Sequence, residues 1–209
     1  MTFATEVATP ELTEVLARDA KIDVKSRRTG ALKTARLMVR APSHNDVAAM
    51  VALAGDRRVA ENTARIPHPY TAVDAVGLLA SINQTGGETV FAITLDGALI
   101  GMCGLDRRQD GVELGYWLGV PFWGRGYATE AARALIDHAF AELGHDVLSS
   151  GARVSNPASR RVLEKCGFQW TGVELHRFLA LGSSTPVDRF KLERSVWSSL
   201  KSWSNSTRR

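Results

Sequence analysis

Cysteine is scarce in this sequence: Cys103 and Cys166 are the two cysteines among 209 residues. They form no Cys-x-x-Cys pair, and each lies in an apolar stretch, IGMCGL and EKCGF. A disulfide framework and a cysteine-based zinc site are therefore excluded, because both need more thiols at closer spacing. We interpret both cysteines as buried free thiols.

Long apolar runs are missing as well, and none approaches the ~18 residues that a membrane span requires. The first 21 residues carry four carboxylates and lack the basic and apolar regions of a signal peptide. The five histidines show no spacing typical of metal ligands. The sequence therefore predicts a cytoplasmic protein without a membrane segment or a metal site.

The composition is that of an ordinary globular protein, with 44% hydrophobic residues, a formal net charge of +4 and a pI near 9.3. This mild positive bias favours anionic partners such as phosphorylated small molecules. It falls well short of the charge density of a nucleic-acid-binding domain, so we expect no direct contact with nucleic acid.

Composition divides the chain into three segments. Residues 1–35 are predicted to be a basic arm, with a short helix beginning at Thr9-Pro10. Residues 36–200 have the pattern of one globular domain, and residues 201–209 form a polar tail. The simplest interpretation of the arm is a solvated linker, and the alternative is a segment that faces the ribosome or RNA.

Periodicity predicts alternating strands and helices within the globular domain. The dipeptide Asp96-Gly97 between two apolar runs predicts a β-hairpin with a type I′ turn. We interpret Trp117, Trp123 and Trp170 as core aromatics. The predicted strands cover residues 35–41, 89–95, 98–105, 112–120 and 147–154 and a closing hairpin within 178–197. The predicted helices cover residues 43–53, a segment around 76–82, 127–143 and 156–165.

A glycine turn at residues 122–134, FWGRGYATEAARA, precedes the best-defined helix. Apolar side chains recur there at helical spacing from Ala128 to Leu143, and Gly144 ends the pattern. No Ser, Thr, Asn or Asp stands at the N-cap position, so the first backbone N–H groups are free for an external anion. The glycines let the main chain approach a phosphate, and Arg125 adds a positive charge.

The turn lacks residues that two common nucleotide-binding motifs require, and this limits which anion it can bind. A Walker A loop ends in Gly-Lys-Ser/Thr, whereas this turn ends in Gly126-Tyr127-Ala128. A Rossmann fingerprint needs a third Gly or Ala where this sequence has Thr129, and the acidic residue expected after the next strand is absent. Both familiar nucleotide motifs are therefore excluded.

Two segments together resemble a known family: VELGYWLGVPFWGRGYATEAARALIDHAF and, downstream, NPASRRVLEKCGF. Over about residues 36–197 the sequence is similar to the GNAT N-acetyltransferases, in particular to the Rim-type ribosomal-protein-alanine branch. In that family a Gln/Arg-x-x-Gly-x-Gly/Ala turn holds the pyrophosphate of acetyl-CoA. This sequence matches the second half of the turn and has Pro121 in the Gln/Arg position.

The resemblance implies the acyl-CoA N-acyltransferase fold, a mixed α/β fold with a mostly antiparallel central sheet flanked by helices. It implies direct transfer of acetyl from acetyl-CoA to a primary amine, without a metal, and it allows a homodimer. The implied residues for binding acetyl-CoA are Leu118, Gly124, Arg125, Gly126, Tyr127, Ala128 and Asn156.

The resemblance also implies two catalytic residues. Glu113 lies in the strand before the turn, where several family members keep a catalytic base, and its simpler interpretation is an exposed carboxylate. Many members use a tyrosine as the acid, but that position is Leu163 here, and the Rim-type branch offers Asn156 and Ser159 instead. Asn156-Pro157 is also a typical helix N-cap, and the two roles are compatible.

Two questions stay open at this level. The acceptor could be a protein N-terminus, a free amino acid, a polyamine or an aminoglycoside, because one fold serves all of them. The rival to an enzyme is a non-catalytic module that binds acyl-CoA and has lost the chemistry, which the missing tyrosine favours slightly.

Overall fold

The structure, a computed structural model, describes residues 30–84, 88–108 and 111–206. These residues contain eight strands in one sheet. The strands are β1 (Leu32–Lys33), β2 (Leu37–Arg40), β3 (Glu88–Leu95), β4 (Ala98–Arg108), β5 (Gly111–Leu118), β6 (Val147–Arg153), β7 (Gln169–Phe178) and β8 (Ser183–Glu193).

Six α-helices lie between and after the strands in the described part of the chain. They are α1 (Val47–Ala54), α2 (Arg57–Ala60), α3 (Ala72–Gln84), α4 (Tyr127–Ala141), α5 (Pro157–Lys165) and α6 (Arg194–Ser206). Short 3-10 turns cover His44–Asp46, Val120–Phe122 and Leu179–Leu181. None of the helices in the described ranges is both long and apolar enough to cross a membrane.

The sheet has the order β1-β2-β3-β4-β5-β6-β8-β7. All neighbouring strands are antiparallel except β5 and β6, which are parallel. This parallel pair is in register at Val112–Leu148 and Glu113–Ser149, and no further pairing of these two described strands follows. The sheet is therefore mixed and mostly antiparallel, as the resemblance implies, and it opens between β5 and β6.

Hydrophobic cores cover both faces of the sheet. Helix α4 supplies much of one core, with Leu135, Ala139 and Phe140 fully buried, and Leu163 of α5 joins it. Helices α1 to α3 build the other core, around Met50. Strand β5 serves both faces, because Leu114 and Leu118 pack in the first core and Trp117 packs in the second.

Several local predictions are confirmed. Asp96 and Gly97 both have positive φ values, 50° and 84°, as a type I′ hairpin turn requires. Helix α4 begins at Tyr127 with Gly126 as its N-cap, and within this described segment no side chain caps it. Asn156 caps α5, since its side chain accepts a hydrogen bond from the Ser159 N–H. Cys103 and Cys166 are buried free thiols.

The predicted C-terminal boundary of the closing hairpin is wrong. Residues 194–197, RSVW, begin helix α6 instead of continuing the strand. The indole of Trp197 donates to Asp137 of α4 at 2.8 Å and packs on the Phe140 ring at a centroid distance of 5.3 Å. Docking against α4 therefore determines that this segment is helical, and the pattern of residues within the segment does not predict that docking.

Two predictions of burial are also wrong. Trp123 and Trp170 are 44% and 54% exposed, and each indole N–H donates a hydrogen bond, to the Leu118 carbonyl and to Asp188 respectively. An indole with a polar partner at the surface need not enter a core. Leu143 is 41% exposed because helix α4 ends at Ala141, before the predicted boundary.

The predicted helix at Thr9-Pro10 and most of the predicted arm lie outside the described residues. The last part of that segment, residues 32–33, forms β1 and pairs with β2. Residues 201–206 of the predicted polar tail belong to α6.

The close approach of β4 to β5 leads to a stability prediction. A Cβ at Gly101 would collide with the backbone oxygen of Trp117 and lie 2.7–2.8 Å from Leu118 atoms, whereas a Cβ at Gly115 would meet nothing within 4 Å. We expect Gly101→Ala to lower the free energy of unfolding by about 1–3 kcal/mol, because two strands must separate. Gly115→Ala is the matched control in the same sheet and should change it by less than about 0.5 kcal/mol. Urea unfolding measures both, and equal stability of the two variants would contradict the strand spacing.

Candidate active site

The glycine turn forms an open N-terminus on helix α4. Gly124 and Gly126 have φ values of 73° and 81°, in the left-handed region that favours glycine. Because the N-cap is a glycine without a side-chain cap in this described segment, the first N–H groups of the helix stay available. The helix dipole adds partial positive charge at the same place, so the turn can hold an anion.

Arg36, just before β2, braces this turn from outside. Its guanidinium donates to the Arg125 carbonyl at 3.1 Å, lies 4.5 Å from the centre of the Tyr127 ring and pairs with Glu130 at 2.7 Å. Burial alone would raise the pKa of Glu130, but hydrogen bonds from Thr34 and Arg36 outweigh it and lower the pKa. The carboxylate in the first turn of α4 is therefore compensated, and its charge does not repel an incoming anion.

The opening between β5 and β6 lies next to this turn. Past the last paired residues, the Ser150 hydroxyl donates to the Leu114 carbonyl at 2.8 Å. Farther along β5, the Leu118 carbonyl accepts the indole N–H of Trp123 at 2.7 Å. On this side, the main-chain groups of β5 are bonded by side chains, because β6 no longer pairs with them. A ligand in an extended conformation can replace these side chains and bind the edge as an added strand.

A cavity of about 420 Å³ lies at this opening. Residues of one sheet face, including Glu113 and Gly115, and residues near the other face, including Tyr116 and Ser159, line the same cavity. The segment 62–67 after α2 adds a further wall. The cavity therefore connects the two sides of the sheet where β5 and β6 part.

Glu113 sits on the wall of this cavity between two arginines. Its Oε1 accepts from Arg189 at 2.7 Å, and its Oε2 accepts from Arg108 at 3.1 Å. Burial alone would raise the pKa of Glu113, but the hydrogen bonds and charges of these two guanidinium groups lower it below its ordinary value. Glu113 is therefore a carboxylate throughout the neutral range and a weak base.

Ser159 contacts a second hydroxyl across the opening. Its Oγ lies 2.9 Å from the phenol oxygen of Tyr116, and the phenol lies 3.1 Å from the Ser159 carbonyl, which can only accept. Burial raises the pKa of the Tyr116 phenol well above its usual value, so this residue keeps its proton. The two hydroxyls form a short chain of exchangeable donors from the core to the cavity.

The predicted residues fall into two groups. Glu113 and Ser159 line one cavity. Gly124, Arg125, Gly126, Tyr127 and Ala128 follow one another at the start of α4, and Leu118 ends the strand that leads to them. The side chain of Asn156 is engaged as the cap of α5.

Sequence reasoning missed Tyr116 and Arg189. Strand alternation assigns Tyr116 to the face opposite Glu113, and the family resemblance points to the position of Leu163 for a tyrosine. Leu163 is fully buried, whereas a phenol from β5 reaches Ser159 from 43 residues away in sequence. The Arg189–Glu113 pair spans 76 residues, and no local signal connects such partners. No cluster of metal-ligating side chains occurs among the described residues.

Comparison with known proteins identifies the family. Residues 36–169, more than half of the chain, match the model of the acetyltransferase (GNAT) domain. The N-acetyltransferase p20 of Bacillus licheniformis is 29% identical over 133 residues, which cover 59% of this chain and 75% of that protein. Further curated relatives are matched over 57% and 46% of their length.

Solved structures share the fold at low sequence identity. The ribosomal L7/L12 alpha-N-protein acetyltransferase RimL, in complex with coenzyme A, superposes with a TM-score of 0.68 at 18% identity, covering 78% of this chain and 98% of RimL. The spermidine N-acetyltransferase of Vibrio cholerae, in complex with CoA and spermine, gives a TM-score of 0.67 at 21% identity over 78% of this chain and 98% of its own. With the domain match, the open helix N-terminus and the parted strands, these findings show that the chain belongs to the GNAT acetyltransferase family.

Proposed function

We propose that this GNAT acetyltransferase transfers the acetyl group of acetyl-CoA directly to a primary amine bound in the cavity between β5 and β6. The observation that carries the proposal is the continuity of β5. This strand lines the cavity with Glu113, Gly115 and Tyr116 and then leads into the open N-terminus of α4. One extended molecule can therefore place an anionic end at the turn and a reactive end in the cavity.

The turn residues fit the pyrophosphate of acetyl-CoA. Gly124 and Gly126 hold backbone angles that expose the N–H groups of residues 124–128, and their lack of Cβ atoms leaves the approach open. The Arg125 side chain is exposed and has no ion pair among the residues the structure describes, so its charge is available. We assign pyrophosphate binding to Gly124, Arg125, Gly126, Tyr127 and Ala128.

The pantetheine arm is assigned to the open edge of β5. An extended ligand can hydrogen-bond this edge as an additional strand, and Leu118 is the last residue to offer it main-chain groups. The bond from Trp123 to the Leu118 carbonyl gives way when a ligand amide takes that acceptor. Asn156, already the cap of α5, stands one helical turn from Ser159 and is assigned a secondary contact with the same arm.

We assign Glu113 to the amine. An ammonium group must lose a proton before its nitrogen can attack the thioester. The carboxylate stays ionised between Arg189 and Arg108, so it can attract and orient the ammonium, but its low pKa makes it a poor final acceptor of the proton. The proton therefore passes to water at the open cavity, with Glu113 orienting the donor.

We assign Ser159 to the departing thiolate, with Tyr116 as its positioning residue. A hydroxyl can donate a hydrogen bond to the sulfur, and the phenol oxygen, 2.9 Å from the serine oxygen, holds that hydroxyl in place. The high pKa of Tyr116 keeps the phenol protonated, so Tyr116 positions the serine and gives up no proton. The pair therefore supplies the donor that the missing helical tyrosine provides in other members of the family.

The acceptor, the domain boundaries, the cellular location and the oligomeric state are also part of the proposal. RimL and the spermidine acetyltransferase differ in acceptor, one being named for a protein N-terminus and the other for a polyamine. We propose that residues 36–200 form the catalytic domain, extended by β1 before it and by the rest of α6 after it, with the residues that precede β1 as an arm. A cytoplasmic location and a homodimer stay predictions.

The proposal is tested by acetyl-CoA turnover. Purified protein is incubated with acetyl-CoA and with peptides, amino acids, polyamines and aminoglycosides, while free CoA thiol and acetylated product are measured. We expect thiol release that depends on the amine and yields the N-acetyl product. Binding of acetyl-CoA without an acetylated product from any amine would favour the non-catalytic acyl-CoA-binding module.

Two glycines test the pyrophosphate turn separately from stability. Gly124 and Gly144 have almost the same φ, 73° and 74°, and a Cβ at either would meet nothing within 4 Å. Substitution by alanine should cost each about 1–2 kcal/mol of stability because of the left-handed backbone. Only Gly124→Ala should raise the KM for acetyl-CoA, by about tenfold, since only this glycine shapes the turn. Equal KM values for the two variants would remove the turn from the site.

The lowered pKa of Glu113 predicts a particular pH profile. A carboxyl group whose pKa lies below 4.5 is already ionised at pH 5 and contributes no inflection above it. The rise of kcat/KM with pH should therefore follow the pKa of the amine, which is about 8 for an α-amine and about 10.4 for a lysine-type amine. Glu113→Gln should lower kcat about a hundredfold without moving the inflection. An inflection near neutrality that is the same for both amines and is lost in Glu113→Gln would contradict this assignment.

A further inference from the structure

We propose that the amine acceptor carries an oxyanion, a carboxylate or a phosphate, which pairs with Arg153 on the wall of the cavity. The inference rests on the proposed function and names the class of substrate. It arises from the charges of the cavity, where one arginine has no ion pair with any residue that the structure describes.

The carboxylates on the sheet wall are already compensated. Glu113 accepts from Arg189 and Arg108. Asp106, opposite Glu113 on β4, pairs with Arg108 at 2.7 Å and with Arg65 at 3.4 Å. Three arginines thus share two carboxylates on this wall, and Glu174 adds a contact of 3.4 Å to Arg189.

Arg153, near the end of β6, differs from these arginines. It lines the same cavity but has no ion pair among the described residues. One guanidinium nitrogen donates to the Glu61 carbonyl at 2.6 Å, and the group lies 5.5 Å from the centre of the Phe178 ring. Its Nε is shut off from solvent and has no acceptor within residues 30–84, 88–108 and 111–206.

Such a cation attracts an oxyanion more strongly than a solvated arginine does. A guanidinium that is partly removed from water has lost hydration, and a carbonyl and an aromatic ring face compensate only part of that loss. An oxyanion in the cavity restores a charge-assisted hydrogen bond in surroundings where it is less screened. Arg153 therefore favours acceptors that carry a negative group near the amine.

The same charges disfavour a polyamine. A polyamine needs carboxylates for its further ammonium groups in addition to Glu113, and the other carboxylate of the sheet wall, Asp106, is held by Arg108 and Arg65. Asp74, on α3, also lines the cavity, and its carboxylate accepts from the backbone N–H and the hydroxyl of Thr71. The cavity is lined by four arginines and three carboxylates, and this excess of positive charge favours an acceptor with an anionic group.

The position of Arg153 allows a single small acceptor to contact both Arg153 and the catalytic residues. On β6, Arg153 alternates with Ala152 and lies on the same face as Gly151, which is paired with Arg189 of β8. A cavity of about 420 Å³ holds a small molecule or the first residues of a peptide. The amine can then meet Glu113 and Ser159 while the oxyanion of the same molecule meets Arg153.

The test uses matched amines with the full-length protein. ω-Amino carboxylates with two to six carbons are compared with their carboxamides and with ω-aminoalkyl phosphates, as substrates for acetyl transfer. We expect kcat/KM for the best anionic acceptor to exceed that of its carboxamide by about tenfold or more. The carboxylate and phosphate series show which oxyanion the site takes.

Arg153→Gln removes the charge and keeps a donor for the Glu61 carbonyl. In this variant, kcat/KM for the anionic acceptor and kcat/KM for its carboxamide should differ by no more than about twofold. Arg153→Lys should restore part of the preference for the anionic acceptor. Arg65→Gln is the matched control, because it removes a cavity arginine that is paired with Asp106, and it should leave the ratio unchanged.

The outcomes separate the two claims. If carboxamides are acetylated as well as the anionic amines, the inference is overturned while the proposed function stands. An equal loss for anionic and neutral acceptors in Arg153→Gln would show a structural role only and would also overturn the inference. The absence of acetylated product across the whole panel would reject the proposed function, and the inference with it.

Discussion

The parallel pair β5–β6 is the constraint on which the rest of the structure depends. Parallel neighbours need a long crossover connection, and here helix α4 supplies it, so its N-terminus stands at the carboxyl end of β5. The pairing ends after Glu113–Ser149, so the strands part beside that same helix end. One topological feature thus places an anion site, an open strand edge and a cavity in a row.

Arginines hold the surroundings of this opening in place. Arg36 fixes the outer side of the turn through the Arg125 carbonyl and compensates Glu130, which keeps the helix N-terminus attractive to an anion. Inside the cavity, Arg189 and Arg108 keep Glu113 ionised. Arg153 stays without a carboxylate among the described residues. In the proposed mechanism, the binding of acetyl-CoA, the handling of the amine and the choice of acceptor all depend on which guanidinium groups already have a partner.

Much of the fold could be predicted from the sequence where the signal is local. The Asp96-Gly97 turn, the apolar stripe of α4, the glycine turn and the Asn156 cap each depend on neighbouring residues. The wrong or missing parts depend on distant contacts. The start of α6 is decided by docking on α4, and the Tyr116–Ser159 and Arg189–Glu113 contacts join residues 43 and 76 positions apart. Periodicity assigns a face to such residues, but it does not give their partner across the sheet.

The most direct test of the central claim is a crystal structure of the protein with CoA. The account predicts the pyrophosphate against the backbone N–H groups of residues 124–128 and the pantetheine along the edge of β5. The CoA sulfur should then lie beside the Ser159 hydroxyl, in the cavity that contains Glu113. A CoA molecule bound elsewhere, or one whose sulfur points away from this cavity, would contradict the account.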